Sequence, residues 1–226
     1  MRNRINSRMG RGVALALATI LMSCGSHQAP FAKVEGMALG RAFEAKSMAF
    51  AEVDLQALPN LQPLGVASLA AVVLADSPNV CGEAQARSLR ANQQYLFFLF
   101  VGRPLQVVAP GSFAVVDPGR ADPASLTQAL ADGAAAALLW RGGEDCENSL
   151  ASGEGMARSG RATLDAIDLA AGGQASGSFA LDIGPQDDQL SGSFLADYCA
   201  PLGELLNDKA AALLQGEAAA LPCNKG

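Results

Sequence analysis

The chain has 226 residues, half of them hydrophobic, and 22 acidic against 16 basic side chains give a formal charge of −6. That balance disfavours nucleic acid and electrostatic adhesion to anionic lipid, both of which need clustered Lys and Arg. The only histidine, His27, excludes a His-based triad or a multi-His metal centre within one chain, and the length suits one domain, or two small ones, with a buried core.

In chain order, residues 1–23 read as an export signal. Arg2, Arg4, Arg8 and Arg11 precede an apolar run, residues 13–21, that is too short to span a bilayer. No acidic residue falls in this segment, so the charge becomes −10 once it is removed. Leu21-Met22-Ser23-Cys24 closes the run, and these four residues resemble the lipobox of bacterial lipoproteins. The resemblance implies cleavage before Cys24 and lipidation of that residue by three acyl chains. One chain binds only marginally, at roughly 0.8 kcal/mol per buried CH₂, whereas three anchor a protein stably. Gly25 stands where an Asp would retain such a lipoprotein at the inner membrane, so the same resemblance implies the outer membrane. Residues 24–38 are expected to be a tether, and residues 39–226 a single β-rich domain.

Within that domain, residues 40–53 read as one long or two short strands with Phe43, Ala45 and Phe50 as core contacts. Residues 64–75 are apolar at both parities, as in a strand covered on both faces. Asp76-Ser77-Pro78-Asn79 turns the chain, and residues 82–92 hold one or two helical turns. Residues 95–101, Tyr-Leu-Phe-Phe-Leu-Phe-Val, form the densest hydrophobic run outside the signal and a strand by length. A further strand is expected over 105–116, broken at Pro110-Gly111. Asp122 can cap a short helix with Pro123 at its first position, and residues 134–140 return as a strand.

The clearest β signal covers 160–198. Three runs (160–169, 174–183 and 189–198) alternate polar and apolar residues and are separated by turn residues, an antiparallel meander. Ser176-Gly177-Ser178-Phe179 recurs as Ser191-Gly192-Ser193-Phe194, which suits adjacent hairpin strands better than a solenoid repeat. After Pro201, Leu202, Leu205, Leu206, Ala210, Leu213 and Leu214 recur near the 3.6-residue period. The expected fold is mainly β, an antiparallel β-sandwich or incomplete barrel with a C-terminal helix. The pattern of residues 160–199, together with the lipobox, is similar to that of small bacterial envelope lipoproteins, a resemblance that implies no activity.

Besides Cys24, the chain holds Cys81, Cys146, Cys199 and Cys223, an even set suited to disulfides in an oxidising compartment. Cys81–Cys146 and Cys199–Cys223 are the preferred pairs; a zinc site lacks both a CxxC spacing and a nearby His. No nucleophile elbow, P-loop or dinucleotide fingerprint is present. Carboxylates remain the one route to catalysis, through Asp165, Asp168, Asp182, Asp187 and Asp188, with turn solvation as their plainer role. A calcium site at the last three does not match the EF-hand spacing. Arg87, Arg90 and Arg103 flank the hydrophobic strand as a polar rim or, on a concave face, as a set that could hold a carboxylate or sugar. Trp140 and Tyr95 read as core anchors.

The resulting expectation is a non-enzymatic, lipid-anchored protein of the bacterial cell envelope. It would touch the membrane through Cys24 and carry a binding or structural β-domain, without metal or cofactor. A carrier of an apolar ligand and a carboxylate-based hydrolase are the alternatives.

Overall fold

A computed structural model describes residues 27–54, 66, 68–150, 152–186, 188–209 and 223–224. The lipobox with Cys24, together with Asp187, lies outside them. The strands are β1 (Phe31–Ala38), β2 (Arg41–Ala42), β3 (Ser47–Val53), β4 (Leu69–Ala75), β5 (Leu89–Arg90), β6 (Gln94–Val101), β7 (Gly111–Val115), β8 (Ala134–Arg141), β9 (Ala157–Ile167), β10 (Gln174–Ile183), β11 (Asp188–Tyr198) and β12 (Cys223–Asn224). The helices are α1 (Val80–Gln85), α2 (Pro123–Asp132) and α3 (Ala200–Asn207).

Eight strands close a barrel in the order β10-β9-β7-β8-β6-β4-β3-β11, with β11 pairing back onto β10. The fold is therefore mainly β with α3 after the last long strand, while Ala210, Leu213 and Leu214 of the expected helix lie outside the described residues; it is neither a sandwich nor an incomplete barrel. Nor is it purely antiparallel, because β7 runs parallel to β8 and β11 parallel to β3. Closure leaves these strands no free edge, whereas a sandwich would have to blunt four. The seam is formed by the last residues of β11, where Asp197 and Tyr198 register with Ala49 and Phe50. Earlier residues of β11, Leu190 to Leu195, pair instead with β1. The tether expected over residues 24–38 is thus corrected: its second half is a strand, and Ala32 and Val34 pack against the inner core.

Two apolar layers explain the two kinds of strand sequence. The barrel interior holds Phe50, Phe98, Phe100, Phe113, Phe179 and Phe194, with Val, Leu and Ala side chains between them. On the opposite faces of β3, β4, β6 and β8 lies a second layer, covered by α1 and α3 through Val80, Ala84, Leu202, Leu205 and Leu206. Strands covered on both faces cannot alternate, so β4 and β6 are buried at every position. The outer face of β10 meets water, and there alternation survives.

The repeated tetrapeptide lies across one strand pair. Gly177 registers with Phe194, Ser178 with Ser193 and Phe179 with Gly192, so each Phe ring covers the partner glycine. A Cβ on Gly192 would come within 2.3 Å of the Lys33 carbonyl oxygen and 2.9 Å of the Phe179 ring, and one on Gly177 within 2.0 Å of the Thr163 carbonyl oxygen. Exposed glycines in strands are ordinarily improved by alanine. Here Gly192→Ala is expected to destabilise by about 1–3 kcal/mol, as overpacked sites do. A urea midpoint equal to or above that of the parent would contradict this packing.

Two disulfides tie the layers together, Cys81–Cys199 and Cys146–Cys223. The four cysteines pair as two bridges, but not as Cys81–Cys146 and Cys199–Cys223. Cys81 stands in α1 and Cys199 at the N-cap of α3, and the two helices pack on the same outer face. Cys223 reaches Cys146 because β12 registers alongside β5, 134 residues earlier in sequence, at Leu89 and Arg90. Other departures are smaller. The strand expected over 105–116 is confined to β7, while residues 102–110 form a loop fastened by the Val108 amide, which donates to Ser68 Oγ at 2.6 Å. Asp122 does cap α2, accepting from the amides of Ala124 and Ser125.

Candidate functional site

The two ends of the barrel differ. At one end β6 begins with the buried Gln94 and β8 ends with Arg141. The Arg141 guanidinium donates to the Leu39 carbonyl at 2.7 Å, to the Ala38 carbonyl and to Gln94 Oε1, closing that mouth with a cation. Burial, reinforced by Arg41, lowers the Arg141 pKa from its ordinary value, while burial raises that of nearby Asp76. Asp76 Oδ1 accepts from the Gln94 amide at 2.7 Å. These contacts make the end a plug rather than an entrance.

Beneath α1 lies a second polar cluster. Glu83 is 5% exposed, and its Oε2 accepts from Tyr95 OH at 2.6 Å and Ser77 Oγ at 3.0 Å. Its Oε1 faces Arg90 Nε at 2.9 Å, and the Tyr95 hydroxyl accepts from the Arg90 amide. Desolvation, then the Glu83 carboxylate, push the Tyr95 phenol well above its ordinary range. Glu83 Oε2 takes two hydrogen bonds, while the buried Oε1 meets the half-exposed Arg90 as an ion pair without a hydrogen bond, and together these contacts fasten α1 and β5 to β6. Beside it Trp140 stacks edge-on to Tyr95 at 5.4 Å, both rings fully buried as expected of core anchors.

Two of the grooves among the described residues measure about 490 Å³ each. One lies between the end of β3 and α3, lined by Glu52, Asp54, Tyr198, Glu204 and Asn207. Gly203 allows α3 to sit this close, since a Cβ there would stand 2.7 Å from the Glu52 carbonyl oxygen. Asn207 Oδ1 accepts from the Asp54 amide, which joins the two walls. The other groove runs over the outer face of the meander, past Arg161, Asp182, Gln189 and Ser191. Both offer carboxylates and hydrogen-bonding groups to a polar or cationic ligand. Neither lining contains a thiol or an imidazole.

Among the described residues, the aspartates singled out in the sequence are divided between the two ends of the barrel, with Asp182 and Asp188 near one end and Asp168 at the other. Register places Asp182 opposite Gln189 and Ser159, whereas Asp168 follows β9 at the other end of the barrel, past the Ile167–Ala175 pair. Asp182 accepts from Ser159 Oγ at 2.5 Å, Asp168 from the Ala170 amide, and Asp188 from the Gly40 amide. Asp165 is exposed on β9. The arginines are equally dispersed: Arg87 pairs with Asp208 at 2.8 Å, Arg90 with Glu83, and Arg103 Nε donates to the Asp132 carbonyl. His27 is half-exposed with Nε2 3.2 Å from Asp197 Oδ1. Glu83, the most deeply placed carboxylate singled out by the structure, was not legible as such. Its one sequence signal is its position between Cys81 and Ala84 in a short helix capped by Asn79.

No protein-family model, no curated protein and no solved structure matches this chain.

Proposed function

We propose that this chain is a lipid-anchored protein of the bacterial cell envelope whose barrel is a non-catalytic binding or structural module. The observation that carries the reading is the filled barrel interior. Phe98, itself fully buried, has ring centroids 5.0 Å from Phe179, 6.0 Å from Phe100 and 6.2 Å from Phe194. Small closed barrels either fill with side chains or hold one ligand, and interlocked rings favour the first over an apolar-ligand carrier. Against the hydrolase alternative stands the dispersal of Asp168 and Asp182 to opposite ends of the meander. The anchor rests on Leu21-Met22-Ser23-Cys24, and the disulfide pairing of the other four cysteines suits an oxidising compartment outside the cytoplasm.

Growth with a clickable fatty acid is expected to label the wild type and leave Cys24→Ala unlabelled. Equal labelling of both would overturn the anchor. Native mass spectrometry of a soluble form starting at Gly25 is expected to show the protein mass alone. A stoichiometric apolar ligand that survives purification would replace the filled-module reading with the carrier.

A further inference from the structure

The strands bring the N-terminal end of the described chain to one mouth of the barrel. Phe31 registers with Leu195, Asp197 with Gln174, Ala175 with Ile167, and Leu164 with Gly111. The start of β1, the end of β11, the end of β9 and the start of β7 therefore share one mouth. The chain enters there from the N-terminal side, fastened where Gln174 Nε2 donates to the Gln28 carbonyl at 2.6 Å and His27 meets Asp197. His27 stands three positions after Cys24, a separation that spans at most about 11 Å.

Large exposed apolar side chains among the described residues are Phe31, Met37, Leu105 and Val107, at 51%, 56%, 87% and 65% exposure. All but Met37 lie at this mouth. Phe31 begins β1, while Leu105 and Val107 crown the 102–110 loop that joins β6 to β7. In the ring of eight strands, the β7-β8-β6 sector stands opposite β11, beside which β1 lies. The anchor point and the apolar loop thus occupy opposite sides of one narrow rim. Leu105 is held outward with φ 61°, an unusual conformation for a branched apolar residue. The loop beneath it is pinned by Val108 and Ser68.

We infer that this rim is the membrane-facing surface. Phe31 on the anchored side, and Leu105 with Val107 across the mouth, insert into the interfacial region of the bilayer and hold the barrel upright on it. The inference rests on acylation of Cys24. Asp54, Asp132, Asp168 and Asp197 outnumber the exposed Arg103 of the loop near the same end, so the lipid it fits is zwitterionic, contacted through apolar side chains rather than through charge. The plugged end with Arg141 and Gln94 would then face away from the membrane.

The test uses the lipidated protein reconstituted into phosphatidylethanolamine–phosphatidylcholine vesicles that contain lipids brominated near the headgroup. Leu105→Trp is expected to show emission shifted to the blue and quenched at least twofold by bromine, over the constant background of buried Trp140. Met37→Trp, at the opposite end, is expected to show neither effect. Leu105→Glu with Val107→Glu should lower vesicle binding of the soluble form starting at Gly25 about tenfold. Equal quenching of Leu105→Trp and Met37→Trp in protein that carries the acyl label would overturn the orientation alone. No acyl label and no flotation of the wild type with vesicles would overturn the anchor and the orientation together. A dimer of the soluble form that Leu105→Glu disrupts, with no quenching in vesicles, would assign the loop to a second copy and overturn the inference.

Discussion

Replacing Phe98 by alanine is expected to lower stability by about 3–5 kcal/mol, the range for deleting an enclosed aromatic ring from a core. Phe98 lies at the centre of the barrel in contact with three other phenylalanine rings, each 5% exposed or less. Those rings belong to β6, β10 and β11, strands held in place by the closed hydrogen-bond ladder, so they have little freedom to collapse into the space. A large-to-small change with limited relaxation loses both transfer free energy and contacts along the cavity wall. In urea the midpoint should fall while the slope stays that of the parent, since the surface exposed on unfolding hardly changes. The cavity should also stay dry and accept xenon or benzene, because its walls are apolar. Met37→Ala, at an exposed position, should stay within about 0.5 kcal/mol of the parent. A loss below about 1 kcal/mol for Phe98→Ala, with no gas or benzene binding, would mean that the ring is not enclosed.

Breaking the Cys81–Cys199 bridge by the double replacement with serine is expected to lose about 2–5 kcal/mol. The bridge closes 118 residues, more than half the chain, and for such a loop the chain-entropy model gives nearly 5 kcal/mol as an upper figure. It also joins α1 to α3, the two helices that cover the outer faces of β3, β4 and β6. Losing it should therefore loosen that cover before the barrel opens, and amide exchange should rise first in residues 80–85 and 200–207. Peptide mapping without reduction should recover a linked pair carrying Cys81 and Cys199. A Cys81–Cys146 peptide would reverse the topology described here. Retention of full stability by the serine variant would show that helix packing alone holds the layer.

Local features were legible in the sequence to the extent that their cause is local. The meander was visible because the outer face of β10 meets water, and water imposes a period of two. Residues 64–75 read as a strand covered on both faces because both parities are apolar, and β4 is buried at every position, whereas 95–101 read as a strand by length alone and the structure added its burial on both faces. Asp122 and Pro123 announced a helix start, since capping needs only neighbours along the chain. β1 was hidden for the opposite reason: Phe31, Lys33 and Glu35 alternate weakly, and the strand owes its existence to the edge of β11 rather than to its own pattern. The disulfide pairs were hidden as well. Spacing favours short loops, while the actual partners are brought together by the packing of α1 on α3 and of β12 beside β5.

The same division applies to the candidate site. Tyr95 and Trp140 were recognisable as buried rings from composition and context. Nothing in the neighbourhood of Glu83 shows that it meets Tyr95 and Arg90, since that meeting depends on α1 folding back over β6. By itself, then, the sequence determined which segments alternate, which are apolar throughout, where helices can begin and which chemistry has no residues to perform it. Those properties follow from interactions within a few residues of one another. Only the tertiary structure decided that the strands close into a barrel, which cysteines pair and which aromatic rings fill the interior. It also decided that Phe31, Leu105 and Val107, 76 residues apart at the extremes, share one rim. Each of these depends on contacts between distant segments whose geometry is set by closure, and closure is a property of the whole sheet rather than of any strand.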